Sequence, residues 1–194
     1  MSFFICVIVE VPILVETEYI LALWLKNVPD YAVPFSKIAI IESLASIFIN
    51  PLWIAANATG NIKRNQIYGR LFTLATLPLS CISLMIVPNP IIAVAICAFM
   101  QYMYLFYCIY DIKKQLNLDV LVYLKQVIFP SVIIFASLLL LGISINAVWT
   151  YGSFIHLLVT SLVLIVVGLM IEYLLMSRGE RLLIKNFVSK IIRK

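Results

Sequence analysis

Four polar side chains within one apolar stretch are the residues of this sequence best spaced for joint chemistry. Glu42, Ser46, Asn50 and Asn57 follow one another at intervals of 4, 4 and 7 residues. On a helix those intervals place all four along one face. Their neighbours are mostly Ile, Leu, Ala and Phe, so the stripe sits in a segment that otherwise avoids water. A carboxylate in such a setting needs water, a cation or a proton as its partner. The stripe therefore reads as the wall of a hydrated cavity, with Glu42 suited to binding a proton or cation. Gln101, with Tyr104 and Cys108 on roughly the same face, is a second candidate lining. A further stripe, Thr73, Thr76, Ser80 and Ser83, repeats at 3, 4 and 3 residues. Small hydroxyl side chains at that spacing let membrane helices approach and hydrogen-bond, and close packing is the better reading there.

Little else in the chain could do chemistry. Glu10 interrupts an apolar run, and Glu172 lies within reach of basic residues such as Arg178. The lone His156 has no second metal ligand near it in sequence. Cys6, Cys81, Cys97 and Cys108 all fall in apolar runs without a CxxC pair, and read as small apolar filler. There is no Ser/His/Asp grouping, no His/Glu metal spacing and no Gly-rich phosphate loop with its Lys. The sequence thus predicts no enzyme, no cofactor and no metal centre.

The elements that must position these residues follow from composition. Of 194 residues, 64% are apolar and only 12% charged, with a mean hydropathy of +1.10. Soluble domains carry about half apolar and a quarter charged residues, so this chain lacks the polar coat of a water-soluble fold. That excludes a soluble enzyme, a nucleic-acid-binding domain and a disordered chain. Six apolar stretches, at about 3–23, 37–58, 71–87, 91–110, 127–145 and 153–176, match the roughly 20 residues a helix needs to cross the bilayer. Their length and lack of strict alternation predict helices, giving an all-α polytopic bundle. The first stretch is the weakest, because Glu10, Glu16 and Glu18 interrupt it. Pro51 and Pro78 predict bends in the second and third.

Charge placement predicts orientation. Lys63, Arg64 and Arg70 fall between the second and third stretches, and Lys113, Lys114 and Lys125 between the fourth and fifth. Arg178, Arg181, Lys185, Lys190, Arg193 and Lys194 follow the sixth, leaving only Lys26 and Lys37 for the opposite side. The positive-inside bias then predicts a cytoplasmic C-terminus. Residues 177–194 form a basic amphipathic tail, with Leu183, Phe187 and Ile191 on one face and Arg181, Lys185 and Lys190 on the other. Such a tail is suited to lie on anionic membrane lipids. Tyr102, Tyr104, Tyr107 and Tyr110 gather towards one end of the fourth stretch, and Trp149 and Tyr151 mark the opposite interface. No basic n-region or cleavage site marks a signal peptide at the N-terminus.

Three blocks resemble a known family. Residues 20–36, ILALWLKNVPDYAVPFS, are similar to the I-L-x-L-W-L-G-x-x-P-x-Y segment of Wzx-type O-antigen and polysaccharide flippases. These belong to the multidrug/oligosaccharidyl-lipid/polysaccharide transporter superfamily. NATGNIKRNQI at 57–67 resembles that family's Q-A-T-G-K-I-K-x-Y-Q-I segment, and LPLS at 77–80 its following span. Lys26 stands where the family has Gly, and Asn57 where it has Gln. Thr59-Gly60 suits the end of a helix, Gly serving as the stop.

The resemblance covers only the family's C-terminal portion and implies a MATE-like bundle. It further implies a bacterial inner-membrane carrier, active in lipopolysaccharide biosynthesis, that turns over a polyprenyl-pyrophosphate-linked oligosaccharide. Alternating access needs two bundles, so a separate N-terminal half of the transporter is an expected partner. Glu42, Ser46, Asn50, Asn57 and Gln101 are then expected to face the cleft. Two other readings stay open: a multidrug/cation antiporter of the same fold, and a truncated membrane fragment that transports nothing.

Overall fold

Apolar residues without strand-like alternation, punctuated by Pro and Gly, fold into helices alone among the described residues. The computed structural model describes residues 2–60, 62–116, 119–149 and 153–175. The order is α1 (Ser2–Val15), α2 (Thr17–Trp24), α3 (Ala32–Ala58), α4 (Ile62–Ile86), α5 (Pro90–Leu116), α6 (Val120–Tyr123), a π-helical turn (Leu124–Ile128), α7 (Phe129–Val148) and α8 (Phe154–Leu175). Among the described residues, five helices are long and apolar enough to cross a membrane: α3, α4, α5, the continuous run Val120–Val148, and α8. With α1 as a shorter apolar helix, the chain is an all-α bundle of about six spans. It is a multi-pass membrane protein.

The expected first span is instead two helices. Pro12 lies within α1, and the helix stops at Glu16, whose backbone (φ −99°, ψ 14°) leaves helical geometry. The Thr17 hydroxyl donates to the carbonyls of Ile13 (2.7 Å) and Leu14 (3.0 Å), so carbonyls facing the break are satisfied by a side chain. The chain then turns into α2. By contrast, α3 and α4 run on through Pro51 and Pro78.

The helices also outrun the apolar stretches. Helix α4 begins at Ile62 rather than 71, so Lys63, Arg64 and Arg70 stand on its first turns and not in a loop. Lys113 and Lys114 are in the last turn of α5, and Lys125 lies in the π-helical turn. Lys and Arg are good helix formers, and their long stems carry the charge outward without ending the helix. Pro130 supplies the physical reason for the π-helical turn. It has no N–H for the carbonyl four residues back, Phe129 N–H reaches Leu124 O instead, and the Ser131 hydroxyl donates to Val127 O. Asp119 caps α6, accepting from the backbone N–H of Leu121 at 3.0 Å.

The reading of Thr59-Gly60 as a helix end is borne out. Gly60 takes φ +83°, and its N–H donates to Asn57 O at 3.1 Å. Nothing lies within 4 Å of a Cβ built there, so the constraint is the left-handed backbone alone. Gly60→Val is expected to cost about 1–2 kcal/mol, with Gly60→Asn much milder. Thermal unfolding of the two variants checks this.

Two packed clusters share α3. In one, Ala45, Phe48, Ile49, Leu52 and Ala56 of α3 meet Leu105, Cys108, Ile109 and Ile112 of α5. In the other, Val7, Ile8, Val11 and Val15 of α1 meet Ile134 and Leu138 of α7 and Leu164 of α8, with Leu44 of α3 closing it. Helix α4 packs mainly on α5, and Asn65 is its single buried residue. The predicted tail, 177–194, lies outside the described residues.

Candidate functional site

Helices α3 and α4 both lean on α5, and the space between them is a groove of about 570 Å³. Its walls are Glu42, Asn50 and Trp53 of α3 and Asn65, Gln66, Arg70, Thr73 and Thr76 of α4. Its floor is Cys97, Met100, Gln101 and Tyr104 of α5. The 4-residue repeat of the α3 stripe and the position of Gln101 on α5 thus meet in one place. Glu42, Asn50 and Gln101 line the groove directly. Ser46 stands behind them, its Oγ accepting from Gln101 Nε2 at 3.0 Å, which fixes the amide. Asn57 likewise acts from the side: its Oδ1 accepts from Nδ2 of the groove residue Asn65 at 3.4 Å.

The Thr/Ser stripe divides between two roles. Thr73 and Thr76 line the groove, with their hydroxyls donating to the α4 carbonyls of Gly69 (3.1 Å) and Thr73 (2.6 Å). Ser80, higher on α4, donates across to Ala93 O of α5 at 3.4 Å, the packing role its type suggests. Gly69 lets the two helices close at this level. A Cβ there would stand 2.9 Å from Tyr104 Oη.

The tyrosines of α5 do more than mark an interface. Tyr104 and Tyr107 form an aromatic cluster with Tyr68 and Phe72 of α4, the ring centroids 4.8 to 6.3 Å apart. Tyr102 donates its hydroxyl to Ile41 O of α3 at 2.7 Å. Only Tyr110, 63% exposed, keeps the purely interfacial setting expected for all four.

One ion pair and one carboxylate–imidazole contact were not legible in the spacing. Asp111, 3% exposed at its side chain, lies 2.8 Å from Nη2 of Arg64. Gln115 Nε2 donates to the same carboxylate, and the Thr59 hydroxyl donates to Gln115 Oε1 at 2.7 Å. This chain of contacts ties the α3–α4 turn, the start of α4 and the end of α5 together below the groove. Sequence separation hid it: Arg64 reads as one more basic loop residue, and Asp111 lies far from it along the chain. The second contact joins Glu16 Oε1 and His156 Nδ1, 3.4 Å apart with both side chains 1% exposed. A Glu at an unexpected helix break and a histidine in the first turn of α8 give no common periodicity to find.

Elsewhere, Glu10 accepts from the Ser43 hydroxyl at 2.8 Å, which places it against α3. Glu18 pairs with Lys37 at 2.8 Å. Among the described residues no group of three His, Cys, Asp or Glu side chains is placed to hold a metal ion. No family model, no curated protein and no solved structure matches this chain.

Proposed function

We propose that the chain is the C-terminal part of a carrier for polyprenyl-pyrophosphate-linked oligosaccharide in a bacterial inner membrane, and that the α3–α4–α5 groove is its share of the substrate cleft. The observation that carries this reading is the groove itself. It gathers one carboxylate (Glu42), one guanidinium (Arg70), several neutral amides and three aromatic faces (Trp53, Phe72, Tyr104) in one opening of a largely apolar bundle. Amides suit sugar hydroxyls, the aromatic faces suit sugar rings, and Arg70 near one end suits a phosphate. Helix α4, exposed along nearly its whole length, is the surface against which a second bundle would rock. The three sequence blocks that resemble Wzx-type flippases point the same way.

In this reading the end carrying Lys63, Arg64, Arg70, Lys113, Lys114 and Lys125 faces the cytoplasm, with Lys26 and Lys37 at the other face. The Thr59–Gln115 contact joins the two basic helix ends on one side, as that orientation requires. Glu42 would then exchange a proton or cation during the cycle. The test is genetic and biochemical. Deleting the chain's gene is expected to abolish surface glycan, wild-type chain to restore it, and Glu42→Gln or Gln101→Leu to fail to restore it. Restored glycan with unchanged ion dependence in Glu42→Gln would remove Glu42 from coupling. Altered drug sensitivity with intact glycan would favour a multidrug/cation antiporter, and no change in either a chain that transports nothing.

A further inference from the structure

Helix α4 carries three basic side chains, and each has a different setting. Lys63 stands in its first turn, and Arg64 is paired with Asp111 at 2.8 Å. Arg70 follows Lys63 by seven residues, about 10 Å further along a helix long and apolar enough to cross the membrane. A guanidinium at that depth is costly unless it meets water or an anion. Glu42, the carboxylate that lines the groove, does not stand at its level. Counted from the Asn57–Asn65 contact, Arg70 is about 8 Å along α4 and Glu42 about 22 Å along α3.

Arg70 and Gln66, one turn apart, line two openings at once. On one side is the groove, and on the other a hollow of about 430 Å³ completed by Ile67, Leu71 and Leu74. These three apolar residues are exposed, so in a membrane the hollow faces lipid. Arg70 and Gln66 are thus the ridge between groove and bilayer. Side chains on a helix tilt toward its N-terminus, so Arg70 leans back towards Gln66 and the basic end of the bundle. The hollow is therefore polar near that surface and apolar at Leu71 and Leu74, farther into the bilayer. A membrane lipid has the same order along its length, phosphate first and hydrocarbon beneath.

We propose that a bilayer glycerophospholipid binds here, its phosphate on Arg70 and Gln66 and an acyl chain along Ile67, Leu71 and Leu74. The guanidinium supplies paired N–H donors to the phosphate oxygens, and Gln66 adds a neutral amide N–H. Charge complementarity selects the phosphate, and the apolar end of the hollow selects a lipid over a free phosphate ion. The bound lipid flanks the groove on its bilayer side, and an amphiphile entering from there must displace it. The site does not depend on what the groove carries.

The test uses the full chain in phosphatidylcholine nanodiscs doped with phosphatidylglycerol that bears a diazirine in one acyl chain. Diacylglycerol with the same diazirine is the matching probe without a phosphate. On photolysis the phosphatidylglycerol probe is expected to label residues 67–74 about fivefold more than the diacylglycerol probe. The exposed apolar face of α8 is expected to take both probes alike. Arg70→Gln is expected to bring the two probes level on α4, and excess soluble glycerol 3-phosphate to leave wild-type labelling unchanged. Equal labelling of wild-type α4 by both probes, an unchanged ratio in Arg70→Gln, or loss of label to soluble glycerol 3-phosphate would overturn the proposal. Should Arg70→Gln fail to fold, the two probes and the soluble competitor on the wild-type chain decide alone.

Discussion

Gly142→Leu is expected to be among the most damaging single changes in this chain, lowering stability by about 3 kcal/mol. Gly142 sits on α7 where α1 crosses it, and a Cβ there would stand 2.8 Å from Val15 Cγ2, 3.2 Å from Val15 Cγ1 and 3.4 Å from Leu164 Cδ1. Val15 cannot swing away, because its two methyls branch directly from Cβ and its χ1 is stiff. It is also the last residue of α1 before the break at Glu16, so pushing it disturbs the α1–α2 break. Membrane helices gain little from the hydrophobic effect against lipid and depend on such close approach at small residues. Gly142→Ala is expected to be milder, since alanine's helix propensity offsets up to about 1 kcal/mol of the clash. Pairing Gly142→Leu with Val15→Ala is expected to return at least part of the loss. Thermal unfolding in detergent checks the series; a Gly142→Leu protein that melts like wild type would refute the packing account.

Arg64→Met carries the second large effect, with a melting-temperature loss on the order of 5 °C. It strands the Asp111 carboxylate, which is buried and, among the described residues, keeps the Gln115 amide as its hydrogen-bond donor. A buried charge left without its partner costs far more than the pair contributes when intact. Asp111→Asn is expected to be milder for a structural reason. Arg64 retains 34% of its side-chain surface exposed and can turn to water or headgroups, while Gln115 can still bond the new amide. The double variant is expected to resemble Asp111→Asn rather than the sum of the two. An Arg64→Met loss no larger than that of Asp111→Asn would mean the pair is not what holds α4 to α5 at this end.

How much of this was legible in the sequence differs from element to element. The α3 stripe was legible because helical periodicity is local: Glu42 and Asn50 do face one groove. The role of Ser46 was not, because its partner Gln101 is 55 residues away and only the packing of α3 on α5 brings them together. Helix limits were misjudged wherever charge began, as at Lys63 and Arg64, because hydropathy measures what enters the membrane and not where backbone hydrogen bonding stops. The first span misled differently. Its three glutamates signalled a defect, but whether a defect becomes a break depends on Thr17 capping carbonyls and on His156 waiting across the bundle.

By itself the sequence determined the membrane setting, the all-helical class and a bundle of about six spans, though not where each helix begins, breaks or ends. These follow from composition and from periodicities a few residues long, which any packing of the chain must respect. Tertiary structure alone decided that α3 is shared by two clusters, that a polar groove opens between α3 and α4, and that Glu16 meets His156 and Arg64 meets Asp111. Those outcomes depend on which helix faces touch. That choice rests on shape, on Gly142 and Gly69 admitting a neighbour where a larger residue would not, and no local pattern encodes it.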